Sequence, residues 1–296
     1  MSKSPITYVM ITGANAGLGH ELARQLTGSD VVRIYLACPN PDKGAAAAAA
    51  LRAETGRNIF KPILLDTADL TSARNAALAL PQPIDALVMN PGGTDGKTPT
   101  ARTDSGATYL VASNLIGHTV LLNTLISENK LTKVALLAGS EASRGAAQLN
   151  VPRPQFPHTS ADEIAGVIDG SYFTNRKYNP CIGYAYTTYI GALWMSAQAR
   201  RHPALRLLTV SPGGTSGTEA ATSMSTLGKV RYEKIAMGAA RYRTALTDPE
   251  YRSGLFYASR AGKLTGPMID QSSIFPDLAD TAFQDNAHEA VGRFTR

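Results

Sequence analysis

Short apolar runs alternate with longer helix-like stretches along most of the chain. Apolar runs without strict polar alternation are typical of strands buried on both faces of a parallel sheet. Such runs occur at Tyr8–Ile11, Ile34–Ala37, Ile63–Leu65, Ala86–Met89, Val134–Leu137 and Leu207–Val210. The segments between them favour crossover helices, at His20–Leu26, Gly44–Ala53, Ala107–Leu125 and Ile190–Arg201. This order predicts an α/β fold, a doubly wound parallel sheet flanked by helices on both faces.

One stretch departs from this rhythm, at about residues 144–180. Prolines punctuate a polar, aromatic-bearing segment there, at Pro152, Pro154, Pro157 and Pro180. A connection of that length is typical of a lid, a binding loop or an interface. No repeat and no linker-like change in composition divides the rest of the chain. We therefore expect residues 1–296 to form a single domain with an insertion at about 144–180.

Composition and charge exclude several classes of protein. With 44% hydrophobic and 18% charged residues, the chain has material for a buried core. The net charge of +6 includes no long basic run and no nucleic-acid-binding signature, so we expect no nucleic-acid partner. Cys38 and Cys181 lack paired histidines at ligand spacing, so we expect no disulfide framework and no metal site. Without a secretory segment or a membrane-spanning apolar run, we expect a cytoplasmic protein.

A glycine-rich turn follows the first predicted strand and precedes a helix. It reads Thr12-Gly13-Ala14-Asn15-Ala16-Gly17-Leu18-Gly19. Glycines at such a turn let the backbone approach a pyrophosphate, whose charge then lies at the helix N-terminus. The alternative is a tight turn without a ligand. The position of the turn between strand and helix favours a nucleotide site.

The spacing of this turn resembles that of the short-chain dehydrogenase/reductase family, which has a Rossmann-type sheet. Further residues stand in family order, namely Asp66, Asn90-Pro91-Gly92, Asn114, Ser140 and Pro212-Gly213. The long insertion and the Asn114-Leu115-Ile116-Gly117-His118 segment resemble the retinol dehydrogenase and protochlorophyllide reductase branch. That branch handles large apolar or planar substrates, so the resemblance implies a roomy substrate pocket.

The resemblance implies a nicotinamide cofactor. The implied cofactor-binding residues are Gly13, Asn15, Gly17, Leu18, Gly19, Cys38, Asp66, Thr67, Asn90, Gly92, Thr188, Pro212 and Gly213. Pro39 stands where the phosphate-preferring members of the family have Arg, and no acidic residue ends the second strand to bind a free 2′-hydroxyl. Lys43 supplies a positive charge nearby, so we favour NADP over NAD. A solvated lysine at a helix start is the alternative interpretation.

The resemblance also implies a catalytic set. In the family, Tyr transfers the proton, Ser polarises the carbonyl and Asn supports a proton relay. A Lys four residues after the Tyr binds the nicotinamide ribose and lowers the Tyr pKa. The matching catalytic positions are Tyr184, Ser140 and Asn114. Thr188 stands where the family has Lys, and it can donate to a ribose hydroxyl but carries no charge.

The replaced lysine has a physical consequence. A free phenol has a pKa of about 10, and a cation about 4 Å away stabilises a phenolate by up to ~4 kcal/mol. Reduction, in which Tyr donates a proton, should therefore suffer less than alcohol oxidation. A register with Tyr186 in place of Tyr184 remains the alternative. Arg176 and Lys177 in the insertion are candidate replacement cations, with a surface role as the simpler interpretation.

These observations predict an oxidoreductase that transfers a hydride to a carbonyl or activated double bond of a fairly large small molecule. The alternative is a non-redox relative, an isomerase, a cyclase or a cofactor-binding sensor or scaffold. We expect a small-molecule substrate and a homo-oligomer. Aromatic residues of the insertion are expected to wall the substrate pocket, at Phe156, Tyr172, Phe173 and Tyr178, with residues 214–224 as a mobile lid.

Overall fold

The computed structural model describes residues 5–91, 93, 101–147, 150–215 and 234–296, and its centre is one eight-stranded sheet. The strands are β1 Tyr8–Thr12, β2 Arg33–Cys38, β3 Phe60–Leu64, β4 Ile84–Met89, β5 Leu131–Ala138, β6 Arg206–Val210, β7 Phe256–Ser259 and β8 Met268–Asp270. Their order is β3-β2-β1-β4-β5-β6-β7-β8. All neighbours are parallel except β7 and β8, which are antiparallel. The predicted doubly wound α/β fold is confirmed.

Helices cover both faces of the sheet. They are α1 Gly17–Gln25, α2 Pro41–Thr55, α3 Leu70–Leu78, α4 Tyr109–Ser127, α5 Ala161–Asp169, α6 Pro180–Arg201, α7 Ile235–Thr247 and α8 Thr281–Gly292. Because side chains alternate along a strand, Val9 and Ile11 of β1 enter one buried cluster and Met10 enters the other. The strands are mostly apolar because each face of the sheet has its own core.

The sequence pattern misplaced or missed the strands at the edges of the sheet. It predicted the third strand at Ile63–Leu65, whereas β3 spans Phe60–Leu64 and exposes Lys61 and Leu64. It did not predict β7 and β8, which have four and three residues. Such short or one-sided strands carry too few apolar residues to stand out from loops.

The insertion contains a helix that the sequence analysis did not predict. Ser160 caps α5 by accepting a hydrogen bond from the backbone N–H of Glu163. Ile164 and Val167 are buried on one side of this helix, and Gly170 ends it with a left-handed φ of 85°. These capping residues and buried positions lie among closely spaced prolines. The prolines led the sequence analysis to predict a loop instead of a helix.

Helix α4 is apolar because it packs inside the protein. Among the described residues, Tyr109–Ser127 is the helix long and apolar enough to cross a membrane, and 72% of its most apolar window is buried. A Cβ on Gly117 would lie 1.8 Å from the carbonyl oxygen of Thr67, so α4 approaches the chain after β3 directly. Its segment Ala112–Ile116 is π-helical, a feature frequent at functional sites.

The sheet has a topological switch point beside β1. From β1 the chain proceeds to β2 and β3 on one side, whereas β4, β5 and β6 lie on the other. Connections that leave β1 and β4 therefore diverge to opposite faces and open a crevice at the carboxyl ends of the strands. Ligands bind in such crevices in open α/β sheets.

Candidate functional site

A cavity of about 550 Å³ lies in this crevice, within the size range of small-molecule sites. Segments that follow β1 to β6 line it. We call the part formed after β1, β2 and β3 the glycine-turn side, with Gly13, Asn15, Ala16, Gly17, Leu18, Asn40, Lys43 and Asp66. We call the part formed after β5 and β6 and by α6 and α7 the tyrosine side, with Ser140, Glu141, Tyr184, Pro212 and Tyr242.

The glycine turn brings backbone atoms without side chains to the wall of the cavity. Gly13 and Gly17 have φ values of 61° and 56°, which favour glycine. A Cβ on Gly19 would lie 2.6 Å from the carbonyl oxygen of Gly13, so Gly19 lets α1 pack against the turn instead of lining the cavity itself. Ala16 precedes α1 without a side-chain cap, and it lines the cavity with Gly17 and Leu18. The free N–H groups of the first helical turn form an anion site.

A buried hydrogen-bonded cluster holds the turns after β1 and β4 together. The backbone N–H of Asn90 donates to Thr12 Oγ1 at 2.8 Å, and His118 Nε2 of α4 lies 2.9 Å from the same oxygen. Burial lowers the pKa of His118 to about 4, so its ring is neutral at neutral pH. Asn90 lines the cavity as predicted, whereas Gly92 lies outside the described residues. The sequence analysis named His118 only as part of a motif.

The predicted residues after β2 and β3 divide into lining and supporting ones. Asp66 and Thr67 line the cavity, and Asp66 Oδ1 accepts from the backbone N–H of Ala68 at 2.9 Å. Cys38 does not line it, because its buried thiol donates to the carbonyl oxygen of Asn40 at 3.3 Å. Lys43 lines the cavity and is the basic side chain that does so in the described part of the chain.

Asn114 lies on the cavity wall with its amide group engaged. Its Nδ2 donates to the carbonyl oxygens of Gly93 and Leu110 at 2.9 and 2.8 Å. The backbone N–H of Gly93 donates in return to Asn114 Oδ1 at 3.1 Å. The π-helical segment thus presents an amide that holds the chain after β4 against α4.

Among the tyrosines of α6, Tyr184 faces the cavity. It is 8% exposed, and its hydroxyl has no hydrogen-bond partner among the described residues. Tyr186 accepts instead from the backbone N–H of Gln155 at 3.0 Å, and Tyr189 donates to Asp277 at 2.9 Å. Neither lines the cavity over the described ranges. The structure therefore brings Tyr184, and not the alternative Tyr186, to the same cavity as Ser140 and Asn114.

Thr188 does not reach the cavity. Its hydroxyl is buried and donates to the carbonyl oxygens of Tyr184 and Ala185 at 3.1 Å each. The replacement cations proposed from sequence are also elsewhere. Arg176 lies over the ring of Tyr172 at 3.6 Å, and Lys177 is exposed. Neither Arg176 nor Lys177 lines the cavity.

A buried carboxylate, which the sequence analysis overlooked, stands beside the predicted catalytic residues. Glu141 accepts from Ser211 Oγ at 2.5 Å and from the backbone N–H of Ser259 at 3.0 Å, and lies 3.8 Å from Arg241 Nη1. Burial, and then the charge of Glu141, raises the pKa of Tyr184 to about 12. The phenol is therefore protonated at neutral pH. An acidic residue directly after Ser140 was the available signal.

Tyr242 of α7 is a second overlooked phenol. It lines the cavity, yet its hydroxyl is fully buried and has no hydrogen-bond partner in the described structure. Burial is the main cause that raises its pKa well above the ordinary value, and the nearby Tyr184 and Glu141 add to it. The tyrosine side thus presents two protonated phenols.

The aromatic residues of the insertion do not wall the main cavity. Phe156, Tyr172 and Phe173 pack around the ring of Tyr186, with centroid distances of 5.2 to 5.4 Å. Phe173 and Tyr178 also line a separate apolar cavity of about 180 Å³. Of the predicted lid, Gly214 and Thr215 line the main cavity next to Pro212 and Gly213, and residues 216–224 lie outside the described ranges.

Comparison with known proteins finds similarity in both sequence and fold. Residues 7–134 match the family model for short chain dehydrogenase. Retinol dehydrogenase 11 of Mus musculus is 34% identical over 129 residues, which cover 43% of this chain and 40% of that protein. The chain spans about two fifths of the length of the first such curated relatives.

Two solved structures extend the similarity of fold to most of the chain. Salutaridine reductase from Papaver somniferum is 18% identical with a TM-score of 0.64, covering 86% of this chain and all of that one. A short chain dehydrogenase from Burkholderia cenocepacia, solved in complex with NADP, is 19% identical with a TM-score of 0.60. It covers 84% of this chain and 94% of its own. At these identities, the similarity concerns the fold.

Proposed function

Residues 7–134 match the family model for short chain dehydrogenase, and from that match we propose that the chain is a member of this family that works as an NADP(H)-dependent reductase. Its substrate is a carbonyl or activated double bond in a fairly large apolar or planar small molecule. One observation carries this proposal: the unpartnered hydroxyl of Tyr184 and the uncapped N-terminus of α1 line the same cavity. A proton donor and an anion site are thereby combined in one site.

The residues present fit a dinucleotide. The backbone of Gly13 and Gly17 and the start of α1 hold its phosphates, and open space at the Cα of Gly17 leaves room for them. Asp66 and Asn90 hold the adenosine part. Lys43 supplies the charge that favours a 2′-phosphate, and the Burkholderia cenocepacia structure in complex with NADP has the same fold. A bound nicotinamide cofactor supplies the hydride.

The charges around Tyr184 favour reduction over oxidation. With a pKa of about 12, roughly 10⁻⁵ of this phenol is ionised at pH 7, against about 10⁻³ for an ordinary phenol. Tyr184 therefore holds the proton that a reduced carbonyl oxygen needs, and the Ser140 hydroxyl donates to the same oxygen. Alcohol oxidation requires the phenolate, which Glu141 disfavours and which no cation among the described residues stabilises.

The proposal is tested by NADPH consumption with a panel of apolar ketones, aldehydes and enones. In Tyr184→Phe, we expect kcat to fall by about 10² to 10⁴-fold, the usual contribution of a positioned proton donor. Tyr186→Phe is the matched control, because it removes a phenol from the same helix that does not line the cavity. Equal turnover by the two variants would contradict the assigned role of Tyr184.

A non-redox function remains the second candidate, because Thr188 is bonded to its own helix and Glu141 stands near the phenol. Thr188→Lys tests it, with Thr188→Met as an uncharged control of similar length. A cation one turn from Tyr184 should lower the phenol pKa. At a fixed pH below that pKa, each unit by which the pKa falls should raise the rate of alcohol oxidation about tenfold. Tight NADPH binding without consumption by the wild type or Thr188→Lys would favour the non-redox candidate.

A further inference from the structure

The hydroxyl of Tyr242 contributes no hydrogen bond to the described part of the fold. It is completely buried and lacks a hydrogen-bond partner in the part of the chain that the structure describes. Buried polar groups are nearly always paired, because an unpaired one loses its hydration without compensation. Phenylalanine would fill the same apolar space without this cost. The tyrosine also lines the main cavity, so a bound molecule is within reach as its partner.

Tyr242 is held rigidly in this position. A Cβ on the neighbouring Gly238 would lie 2.5 Å from Thr215 Cγ2 and 3.1 Å from the carbonyl oxygen of Pro212, so α7 packs closely on the loop after β6. Arg241, the preceding residue, lies 3.8 Å from Glu141 in a buried ion pair. Tyr242 is fully buried in the core cluster that includes Val9 and Ile11 of β1, and it also lines the cavity.

The electrostatic surroundings define what the hydroxyl can bind. Tyr184 and Tyr242 are both protonated at neutral pH, since burial and the charge of Glu141 raise both pKa values. Each phenol can therefore donate a hydrogen bond. The nearby carboxylate disfavours a second anion, so a carboxylate or phosphate is a poor ligand for this position. A neutral carbonyl oxygen satisfies both requirements.

We propose that Tyr242 is a second phenol donor on the tyrosine side of the cavity, and that it hydrogen-bonds a neutral carbonyl oxygen of the bound ligand. Two groups have this chemistry: the carboxamide of the nicotinamide ring and the carbonyl of the substrate. The inference rests on the proposed function because it concerns the same cavity. It assigns Tyr242 a role in ligand affinity and specificity, and leaves the transferred proton to Tyr184.

The test compares Tyr242→Phe with the wild type in the full chain, first without ligand. Since the hydroxyl has no partner among the residues that the structure describes, we expect the Tm of the variant to be equal to or above that of the wild type. A Tm lower by several degrees would show that the hydroxyl has a structural partner, which would overturn the proposal. Tyr251→Phe serves as the control, because Tyr251 is partly buried and does not line the cavity.

Calorimetric titration then separates the two sources of the carbonyl. If Tyr242 binds the carboxamide, the variant should bind NADPH about five- to tenfold more weakly, while 2′-phospho-ADP-ribose, which lacks the carboxamide, binds equally to both proteins. If it binds the substrate, NADPH affinity is unchanged and 2-decanone binds five- to tenfold more weakly to the NADP complex. Affinities within twofold for all three probes would overturn the proposal.

These measurements distinguish the failure of this inference from the failure of the proposed function. They record binding and unfolding, and neither requires turnover. A weaker NADPH affinity in a protein that never consumes NADPH would retain Tyr242 as a ligand donor while removing the reductase activity. Turnover that is lost in Tyr184→Phe but accompanied by unchanged affinities in Tyr242→Phe would retain the reductase and remove the second donor.

Discussion

The two sides of the main cavity are built on different principles. The glycine-turn side is made of backbone: positive φ values at Gly13 and Gly17, an uncapped helix start, and a close contact at Gly19. The tyrosine side is made of buried ionisable side chains, with Glu141 near two phenols. Backbone geometry tolerates little change in residue type, whereas a cluster of side chains can be exchanged while the fold persists.

The sequence match divides the two sides in a similar way. The family model matches residues 7–134, which include the whole glycine turn, Asp66 and Asn90. Ser140, Glu141, Tyr184 and Tyr242 of the tyrosine side lie beyond the matched segment. There, burial and then the charge of Glu141 raise the pKa of Tyr184, and Thr188 is bonded to its own helix.

The largest expected effect concerns the tyrosine side. Glu141→Gln should lower the free energy of unfolding by about 3 kcal/mol, because Arg241 loses its buried carboxylate partner. Glu289→Gln is the matched control, since Glu289 pairs with Arg293 on the surface at 2.8 Å and such pairs contribute about 0.5 kcal/mol. Urea denaturation measures both. Equal losses would mean that the Glu141 cluster does not stabilise this side.

An effect of comparable size is expected on the glycine-turn side, where it concerns the affinity for NADPH instead of the free energy of unfolding. Gly19→Ala should weaken NADPH binding about 100-fold, or ~2.7 kcal/mol, since its Cβ would lie 2.6 Å from Gly13 oxygen and displace the turn. Gly28→Ala is the control, because a Cβ there meets nothing within 4 Å. Calorimetry gives the affinities, and circular dichroism verifies that both variants are folded. Full affinity in folded Gly19→Ala would show that turn geometry does not decide binding.

The smallest expected effect concerns Lys43, a charged side chain on the glycine-turn side. Lys43→Gln should weaken NADPH binding about fivefold, near 1 kcal/mol, while NADH binding stays the same, because in the proposed site this exposed lysine acts on the 2′-phosphate, which NADH lacks. Lys61→Gln removes an exposed lysine that does not line the cavity and should alter neither affinity. Equal weakening of NADPH and NADH in Lys43→Gln would indicate a contact to another part of the cofactor.

Sequence patterns predicted the fold correctly and located the glycine turn between β1 and α1, for a local reason. Buried parallel strands appear as apolar runs, and a phosphate-binding turn requires consecutive residues, so both are readable from short segments. The same logic explains the errors. β7 and β8 are too short to show a pattern, and α5 has clear caps at Ser160 and Gly170 that dense prolines obscured.

The tyrosine side was only partly predictable because its members are distant along the chain. The resemblance indicated Ser140 and Tyr184, and it left Tyr186 of the same helix as an alternative. Tyr242 had no sequence signal at all, since a tyrosine in an amphipathic helix is ordinary. Burial and proximity gave Tyr242 and Glu141 their significance.

By itself, the sequence determined the order of most strands and helices, the turn that exposes the backbone, and the presence of a threonine four residues after Tyr184. These properties depend on residues close together in the chain. Only the tertiary structure decided which tyrosine faces the cavity, that the Thr188 hydroxyl donates a hydrogen bond within its own helix, and that Glu141 is buried near two phenols. Those properties depend on desolvation and on charges brought together from β5, α6 and α7, and packing alone creates them.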